Sequence, residues 1–240
     1  MRGVLFDAGN TLIRVRGSVG KLYASVASRH GIDVDGRELD ARFRQYYWER
    51  RSTFVGTVSN PHSPEKERAW WRGLVRDVFD SLAVPPTGPR FEAYFEDLYG
   101  EFARAENWEI FEDVVPCLDA LDDLGVPAGV VSNWDSRLHV TLEGLGIRER
   151  FRFVITSAEF GAEKPHPSIF LEAVQRLRLD PGEVLFVGDL LVEDVHGSRG
   201  AGLRPVLIDR SANAGDEVPR VRDLREVAQM VRQARLSSKG

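Results

Sequence analysis

The 240-residue chain has a single cysteine, Cys117, which excludes an internal disulfide. It has no apolar run near the ~20 residues needed to span a bilayer. Its first residues read as a strand leading into a candidate site, not as a signal peptide. It has no basic excess: 32 basic residues stand against 37 acidic ones, a net charge of −5, so the footprint of a nucleic-acid binder is absent. Lysine is scarce, with 4 lysines against 28 arginines. Where arginine is the habit, a retained lysine points to its own chemistry, because the two are not interchangeable. These absences leave a cytoplasmic enzyme or binding protein, a monomer or homodimer, with a small-molecule ligand and no nucleic-acid or membrane partner.

What is present is an alternation. Short apolar runs end in small or acidic residues: Val4-Leu5-Phe6 before Asp7, Ala128 to Val131 before Ser132, Phe153 to Ile155 before Thr156, Val184 to Val187 before Gly188-Asp189, and Val206 to Ile208 before Asp209. From residue 116 onward helical patterns separate them, at Pro116 to Leu124, Ser136 to Leu145, Ser168 to Leu177 and Asp194 to Ala201. Strands alternating with helices predict an α/β fold, a doubly wound parallel, Rossmann-like sheet with helices on both faces. Such sheets bind ligands at the carboxyl ends of their strands. Those ends carry Asp7, Ser132 and Asp189.

Residues 15–105 break the rhythm. Helical spacing predicts consecutive helices over Lys21 to His30, Glu38 to Arg50, Glu65 to Leu82 and Phe91 to Arg104, and this stretch holds 14 of the 23 aromatic residues. The expectation is an inserted all-helical cap over 15–105 on a core of 1–14 and 106–240. The crossings fall at Arg16 to Gly20, with a hinge near Gly17–Gly20, and at Glu106-Asn107. A loop is expected over Asn60 to Pro64. The tail from Ser211 is expected to hold one amphipathic helix, Val221 to Arg235, and then fray.

Four stretches then line up: Asp7-x-x-x-Thr11, Ser132-Asn133, Lys164-Pro165 and Gly188-Asp189-x-x-x-x-Asp194. Each has a plainer reading by itself. Asp189 suits a helix N-cap, Ser132-Asn133 a strand-to-helix turn, Thr11 a local backbone bond, and Lys164 a solvated surface. Asp7 resists such a reading, because a carboxylate closing a buried strand is costly unless bound. The histidines have no metal-ligand spacing; His139, His166 and His196 suit helices and loops, with His166 at the edge of the site.

In order and on these elements, the four stretches resemble the haloacid dehalogenase-like hydrolase superfamily, helical-cap class. The cap's Trp70-Trp71 and Val130-Val131-Ser132-Asn133 are similar to its rhythmically-expressed-gene branch. The resemblance implies that Asp7 is a nucleophile forming an aspartyl-phosphate and that Lys164 neutralises charge beside it. It implies that Mg2+ is held by oxygens of Asp7, the Gly9 backbone carbonyl and Asp189, with Asp194 near the metal. Thr11, Ser132 and Asn133 would serve the substrate, Ser132 by donating to a phosphoryl oxygen and Thr11 by doing the same or bracing its loop.

One departure stands out. Phosphatases of that superfamily carry an acid/base aspartate two residues after the nucleophile, where this chain has Gly9. Positioned acid–base catalysis is worth ~10²- to 10⁴-fold. A Mg-dependent phosphohydrolase-like protein, slow or selective, is the main expectation. Two alternatives stay open. A metal-independent 2-haloacid dehalogenase needs no such acid, and would need a cap arginine, for which Arg37, Arg42 and Arg44 lie in the right region. A catalytically weak phospho-ligand or protein-binding member is the other. A glycine at position 9 can also hold a backbone conformation that strains aspartate.

Overall fold

A computed structural model describes residues 1–54, 63–82, 86–210 and 218–237. Residues 60–62 of the expected loop, and 211–217 and 238–240 of the tail, lie outside the described residues.

The sheet is six-stranded with order β5-β4-β1-β6-β7-β8, every pairing parallel. Its strands are β1 (Gly3–Phe6), β4 (Ala128–Ser132), β5 (Val154–Thr156), β6 (Val184–Gly188), β7 (Arg204–Ile208) and β8 (Arg220–Val221). Both faces of the sheet are covered. Val4 and Phe6 of β1 join one apolar cluster, whereas Leu5 joins another with Val131, Ile169, Phe170 and Phe186. Burial on both sides is why these strands read as unbroken apolar runs. Helices α5 (Val114–Asp123), α6 (Arg137–Gly144) and α10 (Leu224–Ser237) supply the first cluster, and α8 (Pro167–Leu177) supplies the second.

The register positions the site. Phe6 lies opposite Val130 on one side and Val187 on the other. The next residues along these three strands are Asp7, Val131-Ser132 and Gly188-Asp189, so the three functional ends emerge together.

Between β1 and α5 the chain makes β2 (Ile13–Val15) and β3 (Trp108–Ile110), an antiparallel ribbon with Val15 opposite Trp108. Four helices lie between them: α1 (Val19–Arg29), α2 (Gly36–Phe54), α3 (Pro64–Asp80) and α4 (Gly88–Glu101). They bury their own cluster, which includes Tyr23, Phe79, Phe91, Tyr94 and Phe95. Ser18 and Ser63 start α1 and α3 by accepting from the backbone N–H three residues on.

At the expected crossings the ribbon is continued by Arg16 N–H, which donates to the Asn107 carbonyl at 2.8 Å. Gly20 lies inside α1, and a Cβ there would lie 2.0 Å from the Gly36 carbonyl oxygen, so it sets the close α1–α2 contact. Two expectations are corrected here. The helix expected from Asp194 begins earlier, as a π turn over Leu191–His196 running into α9 (Gly197–Gly200). Val221 belongs to β8, and the last helix starts at Leu224.

Candidate active site

Asp7 follows β1, and its N–H donates to the Val187 carbonyl of β6 at 2.9 Å. Its Oδ1 accepts from Ser132 Oγ at 3.0 Å and from Lys164 Nζ at 2.7 Å. Both donors hold the same oxygen, so Oδ2 is the one without a hydrogen bond among the described residues. Lys164, 2% exposed, also donates to Asp194 Oδ1 at 2.6 Å. It is a buried ammonium shared by two carboxylates. Burial alone would lower its pKa, but Asp194 and Asp7 together raise it.

Carboxylate oxygens of Asp7, Asp189 and Asp194 lie within 4.8 Å of one another. Burial, then the charges of Asp7 and Asp194, push the Asp189 carboxyl well above its usual range. Asp194 is pushed up to about 6 by burial, with Lys164 opposing and Asp7 adding to the rise. Two buried acids, Asp7 and Asp194, and the half-buried Asp189 stand around one lysine, and a hard divalent cation fits an all-oxygen donor set of this kind. Among the described residues these three are the group that could hold a metal.

The remaining expected residues divide. Asn133 donates to the Lys164 carbonyl at 2.9 Å and accepts from the Lys164 N–H at 2.8 Å, so its amide is spent holding the lysine's backbone. Thr11 is fully buried, its hydroxyl has no hydrogen-bond partner among the described residues, and it is not among the residues that line the cavity. Asp194 also lies behind the cavity wall, where its Oδ2 accepts from the Leu190 N–H at 2.9 Å. A Cβ at Gly188 would lie 2.3 Å from the Asp194 carboxyl, so glycine is what lets that carboxyl tuck under β6. His166 caps α8, with its Nδ1 accepting from the Ser168 N–H.

Gly9 is not in a left-handed conformation; the positive φ in this loop belongs to Asn10 at 56°. A Cβ at Gly9 would meet Trp134 Cζ3 at 3.6 Å, an ordinary contact. The expected backbone strain against aspartate is therefore overturned.

The cavity above Asp7 has a volume of about 560 Å³ and is lined by both layers, with Lys164, Ser132 and Asp189 on the core side and Tyr47, Trp71 and Arg51 on the helical side. Two contacts tie the layers together. Arg51 of α2 donates to Glu193 Oε1 at 3.0 Å and reaches Glu163 Oε2 at 3.4 Å. Tyr99 of α4 donates to Asp135 Oδ2 at 2.6 Å, while Arg137, paired with Asp135, donates to the Tyr99 carbonyl at 2.9 Å. At the loop after β1, Arg210 donates to the Thr11 carbonyl at 2.8 Å and to Asp113 at 2.7 Å. Sequence reasoning missed Arg51, Glu193, Trp134 and Arg210. Only Glu193, beside Asp194, carried a local signal.

The comparisons with known proteins agree with this geometry. The family model for haloacid dehalogenase-like hydrolase matches residues 1–202. The chain is 35% identical over 210 residues to "Haloacid dehalogenase-like hydrolase domain-containing protein 3" of Danio rerio, covering 88% of this chain and 86% of that one. It is 26% identical over 222 residues to the rhythmically expressed gene 2 protein of Drosophila melanogaster, covering 89% and 85%. It is 38% identical over 106 residues to a glyceraldehyde 3-phosphate phosphatase of Methanopyrus kandleri, covering 42% and 43%. Among solved structures, a HAD phosphatase from Thermococcus onnurineus aligns with TM-score 0.68 at 25% identity, covering 96% of this chain and 98% of that one. A magnesium-bound HAD-hydrolase from Bacillus subtilis shares the fold, with TM-score 0.72 at 16% identity over 96% and 98%.

Proposed function

This chain belongs to the haloacid dehalogenase-like hydrolases, and we propose that within them it is a magnesium-dependent phosphohydrolase acting on a small phosphate ester. The carrying observation is the Asp7–Lys164–Asp194 arrangement with Asp189 beside it.

Oxygens of Asp7, Gly9 and Asp189, with Asp194 behind them, would hold Mg2+, which supplies charge stabilisation for the phosphoryl oxygens. Ser132 and Lys164 fix Asp7 through Oδ1, which leaves Oδ2 to attack phosphorus. The new O–P bond gives an aspartyl-phosphate, and the P–O bond to the leaving group breaks. Water then attacks that phosphorus and frees Asp7. Ser132 and Lys164 also face the equatorial phosphoryl oxygens, and Asn133 keeps Lys164 in place. The helical layer closes the cavity against water and selects the substrate.

Position 9 offers no proton to the leaving oxygen and no base to the attacking water. The first step is slowed for leaving groups that need protonation, and the second, common to all esters, is slowed for want of a base. This loss also favours the metal-independent 2-haloacid dehalogenase reading. The acidic cluster weighs against it, since without a cation Asp7, Asp189 and Asp194 share one ammonium.

The test is a panel of phosphate esters, sugar phosphates, nucleotides and 2-chloropropionate, each with and without magnesium. Magnesium-dependent phosphate release that disappears in Asp7→Asn supports the proposal. Chloride release without metal replaces it with the dehalogenase. Magnesium binding without release from any ester leaves a ligand-binding member.

A further inference from the structure

The helical wall of the cavity carries a pattern that phosphoryl chemistry does not use. Phe43, Arg44, Tyr47, Trp48 and Arg51 recur at three- and four-residue spacing along α2, so they form one face of it, and all five line the cavity. Phe43 and Tyr47 are stacked at 5.6 Å between ring centroids and 25° between planes, and Tyr47 stacks on Trp71 at 6.3 Å and 29°. Trp48 extends this row into solvent and is 51% exposed. Tyr47 is stacked upon by Phe43 and Trp71, so the ring of this row that is left open to a ligand is that of Trp48, at the cavity's edge. The site of the missing acid also neighbours a ring, that of Trp134.

The charges of this wall are unequal. Among the cavity's arginines, Arg14 is paired with Glu109 at 2.6 Å, Arg137 with Asp135 at 2.8 Å and Arg51 with Glu193 at 3.0 Å. Arg44 is exposed, lines the same cavity, and has no ion-pair partner among the described residues. It lies one helical turn from Tyr47 and Trp48, beside the rings. A volume of about 560 Å³ is far more than a phosphoryl group requires and is in the range of sites for whole small molecules.

We propose that this face of α2 is the leaving-group subsite, and that it takes a phosphate monoester of a planar aromatic ring bearing a second negative charge, which Arg44 reads. The inference rests on the phosphohydrolase reading above. An aromatic leaving group fits that reading, because a phenolate departs without the proton that position 9 cannot supply. The ring would lie on Trp48, and the second anion would pair with the open fork of the Arg44 guanidinium one helical turn away.

The experiment uses two probes, phenyl phosphate and 4-carboxyphenyl phosphate. It uses two exposed variants, Arg44→Gln and Trp48→Ala, whose folding is checked by thermal melting. The ratio of wild-type to variant kcat/KM with magnesium is taken for each ester, so the intrinsic reactivity of the ester cancels. Arg44→Gln is expected to cost the carboxylated ester about tenfold more than the plain one, the difference that ~1.4 kcal/mol makes. Trp48→Ala is expected to cost both esters several-fold, mainly in KM. The same probes, with glycerol phosphate added, are titrated by calorimetry into Asp7→Asn and into its Arg44→Gln double variant. Expected there is tightest binding of the carboxylated ring and loss of that advantage in the double variant. Equal costs to both esters in Arg44→Gln, or glycerol phosphate binding as tightly as the aromatic probes, overturns the inference. If no ester is hydrolysed, the phosphohydrolase reading fails, and the calorimetry still decides the subsite by itself.

Discussion

Trp134 is the neighbour of Gly9: a side chain begun at Gly9 would meet Cζ3 of that indole at 3.6 Å, an ordinary contact. Neither a left-handed backbone nor a clash at the first side-chain atom explains the absence of a carboxyl there.

Gly9→Asp should accordingly fold and gain activity. We expect ~10-fold or more in kcat/KM, which reads the first step, on alkyl phosphates, out of the ~10²–10⁴ available to a positioned acid–base group, and a smaller gain on aryl phosphates. Wild type should also show a burst with p-nitrophenyl phosphate, because the aspartyl-phosphate lacks a base for its hydrolysis. Pre-steady-state kinetics on both ester classes, with Asp7→Asn as the blank, make the comparison. A folded, magnesium-binding Gly9→Asp with no gain on alkyl esters would show that another group already supplies the proton.

Asp189→Asn should weaken magnesium binding several-fold or more by calorimetry. Its stability should have a distinctive pH dependence. Burial and the nearby Asp7 hold the native Asp189 carboxyl well above its usual range. A carboxyl raised by folding stabilises the native state below its unfolded pKa, about 3.9. That contribution is lost as pH rises through the raised native value. Without metal, the variant should melt higher than wild type near pH 8, and the gap should close towards pH 4. Excess magnesium should reverse the order at pH 8, because it binds the native wild type. Melting curves on a pH series with and without magnesium check this, and an order that magnesium never reverses argues against the metal site.

Removing Arg51 leaves Glu193, whose side chain is 5% exposed, without its cation. Arg51→Met should destabilise the protein on the order of 3 kcal/mol, the usual consequence of breaking one side of a buried pair. Glu193→Gln added to it should recover a large part. Urea unfolding of the two single variants and the double one gives the coupling. Additive effects would mean that Arg51 is not what joins α2 to the turn after β6.

Arg210 acts at one remove. Its guanidinium spans the Thr11 carbonyl and the Asp113 carboxylate, and a lysine ammonium cannot hold both. Arg210→Lys should lower kcat by roughly tenfold, a change of ~1.4 kcal/mol in barrier, with KM little altered. A merely structural loss would instead appear as a lower melting temperature with unchanged kcat.

Much of this was legible in the sequence, for a reason rooted in the sheet. Parallel strands buried on both faces must be apolar throughout, so Val4-Leu5-Phe6 and Val184 to Val187 announce themselves, and the first polar residue after each marks a strand end. Register then brings Asp7 and Asp189 together without further information. The ribbon of β2 and β3 was not legible, because three residues per strand are too few to show an alternation. Trp134 beside Gly9 and Arg51 against Glu193 were not legible either, since each joins residues more than a hundred positions apart with no local pattern. The burial of Thr11 was not legible either: it follows a turn at Asn10, with φ 56°, that no periodicity announces.

The pairing of Val15 with Trp108 has a consequence for how such a protein can change. The chain leaves the sheet layer and returns to it at adjacent points, clasped by backbone bonds that depend little on which side chains lie between. Everything from residue 16 to residue 107 hangs from that clasp like a cartridge from its socket. Beyond the clasp, a different insert would have to replace the contacts that Arg51 and Tyr99 make with Glu193 and Asp135. New substrate preferences could then arise by rewriting the insert alone, while Asp7 and Lys164 are inherited untouched.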